Sequence, residues 1–310
     1  MYVQKHISFR IIVQFAWRNL LVFITLSTGV YYMHTHLRIP LGISFLPLGT
    51  IGTAVAITLG FRNNSAYERF WEARTLWGGL VYQSRIFSRQ LLSVYIPPGA
   101  PLETERNLLD LHRSFMYRQI AFAHALRMHL RREELTNSAC WTQLGPLLSA
   151  DELTILQQAI NKPNCLLNLQ SMAYAKVNDS QESSLFRQIQ LETILAEFTQ
   201  LQGKCERIKN TPLPRQYAFF TKVFVWIFVG LIPFGLVGEL GWLTIPTSVL
   251  LSWIFVTLEQ VGDYTENPFE GGINDVPMSA LCQTIEMEGK EWLGEANLPK
   301  ALQPTDGILL

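Results

Sequence analysis

LGISFLPLGTIGTAVAITLGFRNNSAYERFWEAR, residues 41–74, changes character at one point. From Leu41 to Phe61 there is no charged side chain, and from Arg62 onward charges and amides appear every few residues. A membrane-spanning helix needs about 20 mostly apolar residues, because the hydrocarbon layer is about 30 Å thick and a helix rises about 1.5 Å per residue. Leu41–Phe61 meets that length. Beyond it no Gly or Pro occurs until Gly78, so the helix is expected to leave the bilayer unbroken and run on toward Leu92. The stretch predicts an all-α membrane protein.

Three further windows have similar character: Ile11 to Met33, Tyr217 to Gly238 and Trp242 to Leu258. Tyr31, Tyr32, Tyr217 and Trp242 sit at window edges, where aromatic rings favour the headgroup layer. Arg18 lies inside the first window. Snorkelling to the cytoplasmic surface accounts for it, as does an intersubunit contact or a polar cavity. Lys5 and Arg10 precede the first window, while Arg62, Arg69, Arg74, Lys204, Arg207, Lys209 and Arg215 flank the others on one side. The loop 34–40 carries only Arg38. By the positive-inside rule both termini and the middle region are cytoplasmic, which four crossings require. The expected organisation is 1–61 for the first two transmembrane helices, 62–215 for a cytoplasmic helical bundle, 216–258 for the third and fourth crossings, and 259–310 for a cytoplasmic C-terminal segment.

Overall composition conceals this segregation: 48% of residues are hydrophobic and 16% charged, ordinary enough for a soluble protein. Net charge is zero and no basic stripe with interleaved aromatics occurs, so a nucleic-acid partner is set aside. Cys140, Cys165, Cys205 and Cys282 form no CxxC pair and read as reduced structural thiols. No small-residue cleavage site follows the first apolar run, which reads as a retained membrane helix. Pro97, Pro98, Gly99 and Pro101 force a turn after the long helix. Helices fit Glu103–Arg132 and Ser183–Lys209, the second with Leu185, Ile189, Leu191, Ile194, Leu195, Phe198 and Leu201 on one broad face. The tail after Gly289 reads as extended against a neighbour or loose.

In the second window Gly49, Thr53, Ile57 and Phe61 are spaced four apart and form one ribbon. Gly52, Ala54, Ala56 and Gly60 are small enough to let neighbouring helices approach. Two readings are open: the ribbon is packing surface, or copies of it around an axis stack into apolar rings that gate by dewetting. Arg62, Asn63, Asn64 and Ser65 would lie next to such rings, with the amides and hydroxyl able to bond a partly dehydrated ion. After the fourth window Glu259, Asp263, Glu266 and Glu270, with Asn274 and Asp275, read as a solvated turn rather than a calcium site, since the EF-hand spacing is absent. His124 and His129 are five apart, which rules out an HExxH arrangement, and His34 and His36 make a poor metal pair. Neither a phosphate loop nor a nucleophile elbow occurs. The reading is of a protein that is not an enzyme, with no cofactor and no metal.

The run Gly60-Phe61-Arg62-Asn63-Asn64-Ser65-Ala66-Tyr67-Glu68-Arg69-Phe70-Trp71-Glu72-Ala73-Arg74, continuing through Leu76-Trp77-Gly78, resembles bacterial bestrophin homologues. Glu266-Asn267-Pro268-Phe269, with Asn274-Asp275-Val276-Pro277-Met278, resembles the post-membrane stretch of the same family, and Gln4-Lys5-His6-Ile7-Ser8-Phe9-Arg10 fits its opening. The resemblance implies a homopentameric channel with its pore on the five-fold axis. It implies a pore neck at Thr53, Ile57 and Phe61, where Thr53 departs from the apolar residue usual at the first ring. A second, cytoplasmic constriction of the family falls near Phe186 by spacing from Cys205-Glu206-Arg207. The calcium clasp of animal relatives has a dense acidic run, whereas this chain has Glu270-Gly271-Gly272-Ile273-Asn274-Asp275, so calcium activation is not expected.

The partners implied are small monovalent ions, the lipid of an inner or plasma membrane, and further copies of the chain. The family includes anion conductors and a cation-selective bacterial type. Arg62 beside the neck favours anions such as chloride, and Glu68 and Glu72 either pair with Arg69 or Arg74 or line the vestibule. A sodium or potassium channel of the same fold is the alternative. A carrier would show broken helices around a midplane site, for which Pro233 and Gly235 supply one break without a match. A membrane-anchored scaffold would carry no flux.

Overall fold

The computed structural model describes the backbone of residues 1–3, 9–93, 102–133, 138–177, 182–305 and 307–309, and excludes the side chains of 9–15, 102–106, 138–139, 177 and 182–187. Its helices are α1 (Phe9–Thr35), α2 (Phe45–Leu92), α3 (Leu102–Arg131), α4 (Ser138–Leu144), α5 (Ala150–Gln158), α6 (Lys162–Val177), α7 (Glu182–Asn210), α8 (Arg215–Leu240), α9 (Thr244–Glu266) and α10 (Met278–Trp292). The long helix expected from residues 41–92 forms as one piece of 48 residues, about 72 Å at 1.5 Å per residue. It starts at Phe45 rather than Leu41, after an extended approach in which the Ile43 amide donates to the Phe234 carbonyl at 3.1 Å.

The chain divides into two compact units: 4–70 with 212–267, and 1–3 with 71–211 and 268–310. In the first unit α8 packs on α9, and α1 packs on both. Phe23, Leu48, Val55, Leu59, Val225, Phe228, Val229, Ile232, Leu236 and Val256 make its core. Gly52 and Gly235 permit close approach: a Cβ on Gly52 would lie 2.7 Å from the Phe228 ring, and one on Gly235 would strike Leu48. Outward-facing side chains of this unit are also large and apolar. Trp17, Leu21 and Val22 on α1, Phe219, Phe220 and Ile227 on α8, and Leu250, Ile254 and Leu258 on α9 are all exposed. Water would penalise so broad an apolar surface, and lipid would not. Residues 45–92 and 215–266 hold windows long and apolar enough to cross a bilayer.

The second unit is built around α3, which touches α4, α6, α7 and α10. Trp77 and Phe87 of α2, Phe115 and Phe122 of α3 and Phe198 of α7 are buried, and the Phe122 and Phe198 rings meet at 5.6 Å. On α7 the expected face buries Leu191, Ile194, Leu195 and Phe198, while Ile189 points outward and Leu185 lies outside the described side chains. α5 opens on a capping box between Ser149 and Glu152. The four cysteines are free thiols. Burial pushes Cys205 and Cys282 up to about 12, which keeps them protonated and unreactive. The tail is not loose: the Val3 amide donates to Gly307 and the Leu309 amide to Met1, so the two chain ends pair.

Candidate functional site: the exposed face of α2

Two stripes run along the first half of α2. Leu48, Gly52, Val55, Leu59, Arg62 and Ala66, spaced alternately four and three apart, are buried within the first unit. Thr53, Ile57 and Phe61 lie on the other side, with Ile57 56% and Phe61 66% exposed. Large apolar side chains left bare on an uncharged helix need a non-aqueous or self-complementary surrounding. The Thr53 hydroxyl donates to the Gly49 carbonyl at 2.9 Å, so its proton is spent on the helix's own backbone. Gly49 and Thr53 also border an apolar cavity of about 320 Å³ lined by Phe228, Ile232 and Phe255.

The four residues expected next to the neck divide. Asn64 stays on the exposed face, donating to Glu68 Oε1 at 2.8 Å, and Ser65 is half-buried. Asn63 turns inward, donating to the Leu258 carbonyl at 2.9 Å, with its Oδ1 pressed against Gly262. The expectation of Arg62 as an open cation beside the neck gives way most completely. Arg62 is 1% exposed, and its guanidinium meets Glu259 at 3.2 Å, Asp263 at 3.0 Å and Glu266 at 3.4 Å. Three carboxylates more than cancel its charge. The three acids belong to the last turns of α9, which runs eight residues past Leu258, and not to a solvated turn. Their spacing of four and three puts them on one helix face, a signal hidden by ending the helix with the apolar run.

Glu72 leaves the vestibule to pair with Arg207, and Glu270 pairs with Lys209 at 2.8 Å. Glu68 remains exposed on the ribbon side. Phe186 lies in α7, but its side chain is outside those described.

Residues 5–291 match the family described as Bacterial/Fungal Bestrophin protein. The chain belongs to the bestrophins. Among curated bestrophin relatives, the "Voltage-dependent anion channel-forming protein YneE" of Salmonella typhi is 35% identical over 84% of this chain and 81% of its own. The protein of the same name from Escherichia coli strain K12 is 33% identical over 92% and 89%. A solved bacterial bestrophin homolog from Klebsiella pneumoniae superposes with TM-score 0.78 at 28% identity, covering 90% of this chain and 98% of its own. A bestrophin is a membrane protein, and the outward apolar surface of α1, α8 and α9 agrees with that.

Proposed function

We propose that this bestrophin assembles as a homopentamer and passes small anions such as chloride passively across a cell inner or plasma membrane. In this reading α1, the first half of α2, α8 and α9 cross the bilayer, and both termini are cytoplasmic. Residues 62–215 and 259–310 supply the cytoplasmic part, and Thr53, Ile57 and Phe61 ring a neck on the five-fold axis. Asn64 and Ser65 line the adjacent vestibule, Arg62 and Asn63 brace α2 from behind, and Phe186 marks a second constriction. The reading is carried by one observation: Ile57 and Phe61 are bare on a helix whose opposite face is fully packed. The names of the curated relatives supply the anion.

A neck of this kind selects by dehydration, because its walls offer no charge to replace the hydration shell. Easily dehydrated anions therefore pass more readily than chloride. One observation favours the opposite sign. With Arg62 neutralised, the charged side chain left on the exposed face next to the neck is the Glu68 carboxylate, which would draw sodium or potassium.

Recording purified protein in planar bilayers under a potassium chloride gradient separates the two. A reversal potential near the chloride equilibrium value supports the anion channel, and one near the potassium value transfers the assignment to cations. Slow, saturable flux without discrete steps would replace the channel by a carrier.

A further inference from the structure

In the second unit, α3 and α10 bring together charges whose signs do not suit their surroundings. Ser279 is the second residue of α10, in the first turn, where the helix carries partial positive charge although the Met278 and Leu281 amides are bonded to Val276 and Pro277. Two guanidiniums nevertheless converge there. Arg131 donates to Ser279 Oγ at 3.1 Å, and Arg127 approaches the same oxygen at 3.4 Å. Cations are stabilised at the other end of a helix, so this placement opposes the dipole.

Local acids do not correct the imbalance. Glu133 reaches both arginines at 3.6 Å and is the carboxylate they share. Asp275 is engaged with the Gly271 amide, and Glu286 is held between His124 Nε2 and Lys290. Among the described residues Arg127 Nε, Arg131 Nε and Arg131 Nη2 have no acceptor, and neither does His124 Nδ1; of these three residues His124 and Arg127 line one cavity, and Arg131 does not. Burial, and then the neighbouring Arg127, push Arg131 below the usual arginine range. Buried donors left unpaired are costly, and a cluster of them calls for an acceptor.

Space for one is present. A cavity of about 240 Å³ lies between His124 and Arg127 of α3, Gln143 of α4, and Ser279 and Gln283 of α10, with Leu302 of the tail along its side and the Glu286 carboxylate, already paired with His124 and Lys290, on its wall. Arg127 is 12% and His124 3% exposed at the side chain. Ser279 accepts from both arginines, which leaves its hydroxyl proton to donate. Gln143 accepts from Arg127 at 3.0 Å, which leaves its amide nitrogen as a donor. A fork of arginine, hydroxyl and amide donors at a helix N-terminus is the donor set that tetrahedral oxyanions select. At about 30 Å³ per water the cavity has the volume of about eight waters, more than a bare phosphate fills.

We infer that this cavity binds a small phosphate-bearing anion, held by Arg127, Ser279, Gln143 and the first turn of α10. The Gln283 side chain donates to the Lys300 carbonyl, so a ligand here also lies beside the bond that ties the tail to α10. This inference does not rest on which ion the chain conducts.

The test is equilibrium dialysis of radiolabelled inorganic phosphate against the full-length protein in detergent, at fixed ionic strength in chloride. Saturable uptake at millimolar phosphate is expected, weakened about ten-fold by Arg127→Gln and by Ser279→Ala, each removing a donor. Ser279→Ala keeps both arginines and guards against a folding defect in the first variant. Unlabelled glycerol phosphate as competitor identifies the source: displacement below the concentration of free phosphate needed marks a phosphomonoester, and weaker displacement marks inorganic phosphate. Absence of saturable uptake, or uptake unchanged in both variants, overturns the site.

Discussion

Phe61 and Arg62 are neighbours in sequence with opposite fates, one 66% and the other 1% exposed. If Ile57 and Phe61 form the narrowest rings, Ile57→Ala and Phe61→Ala raise single-channel conductance and flatten the preference for easily dehydrated ions. Unchanged currents in both would remove the neck from these positions. Arg62 makes a different prediction. Removing one partner of a buried ionic cluster leaves the others uncompensated and costs about 3–5 kcal/mol. Arg62→Met should therefore lower the melting temperature of the detergent-solubilised protein sharply. Adding Glu259→Gln and Glu266→Gln to it should restore much of the loss. No recovery would mean that the cluster is not what holds Arg62 in place. The position of Arg62 could not be read from the sequence, because its partners lie about 200 residues away on α9. Ile57 and Phe61 could be, because an apolar ribbon spaced by four is a local pattern.

Helix α2 illustrates how far local rules reach. Its uninterrupted run to Leu92 follows from the absence of Gly and Pro between 61 and 77, and it forms as expected. Its glycines, by contrast, look alike in sequence and differ in space. A Cβ at Gly52 would lie 2.7 Å from the Phe228 ring, whereas one at Gly60 meets nothing within 4 Å. Gly52→Ala is expected to cost about 1–3 kcal/mol by forcing that ring aside. Gly60→Ala should leave thermal stability of the chain unharmed or slightly raised, since alanine favours helix by about 1 kcal/mol. Equal melting temperatures for the two variants would contradict the packing of α2 on α8. The short helices α4, α5 and α6 were not legible, because each is stabilised by α3 or by a neighbour touching it rather than by a long periodic face of its own. α10 hid in the same way: its buried residues Met278, Cys282, Ile285 and Gly289 are spaced four, three and four apart, but glycine and cysteine do not announce an apolar stripe.

At the scale of the whole molecule, acid stability depends on the second unit. His124, and after it Lys290, hold the Glu286 carboxyl down at about 2, below the ordinary 4.5. A lowered carboxyl stabilises the fold above about pH 4.5 and loses that contribution as the pH falls toward 2. Glu286→Gln should flatten the fall in melting temperature across that window, and an unaltered slope would assign acid sensitivity elsewhere. Hydropathy read along the chain disclosed the unit with the apolar outer surface, because lipid would impose one simple demand on every outward side chain. They did not disclose that the other unit is assembled from three separate pieces of chain. That interleaving has a consequence for the order in which the protein is made. Residues 4–70 and 212–267 are all synthesised before the first residue of the segment 268–310 appears. α3 must then wait for α10 to cover Met116 and Ile120, an interval of roughly 8 to 32 seconds at about 5–20 residues per second over the stretch from Arg131 to Trp292. The pairing of Met1–Val3 with Gly307–Leu309 is later still. A ribosome paused near residue 275 would hold a chain whose apolar helices are complete and whose other half still lacks its closing helix.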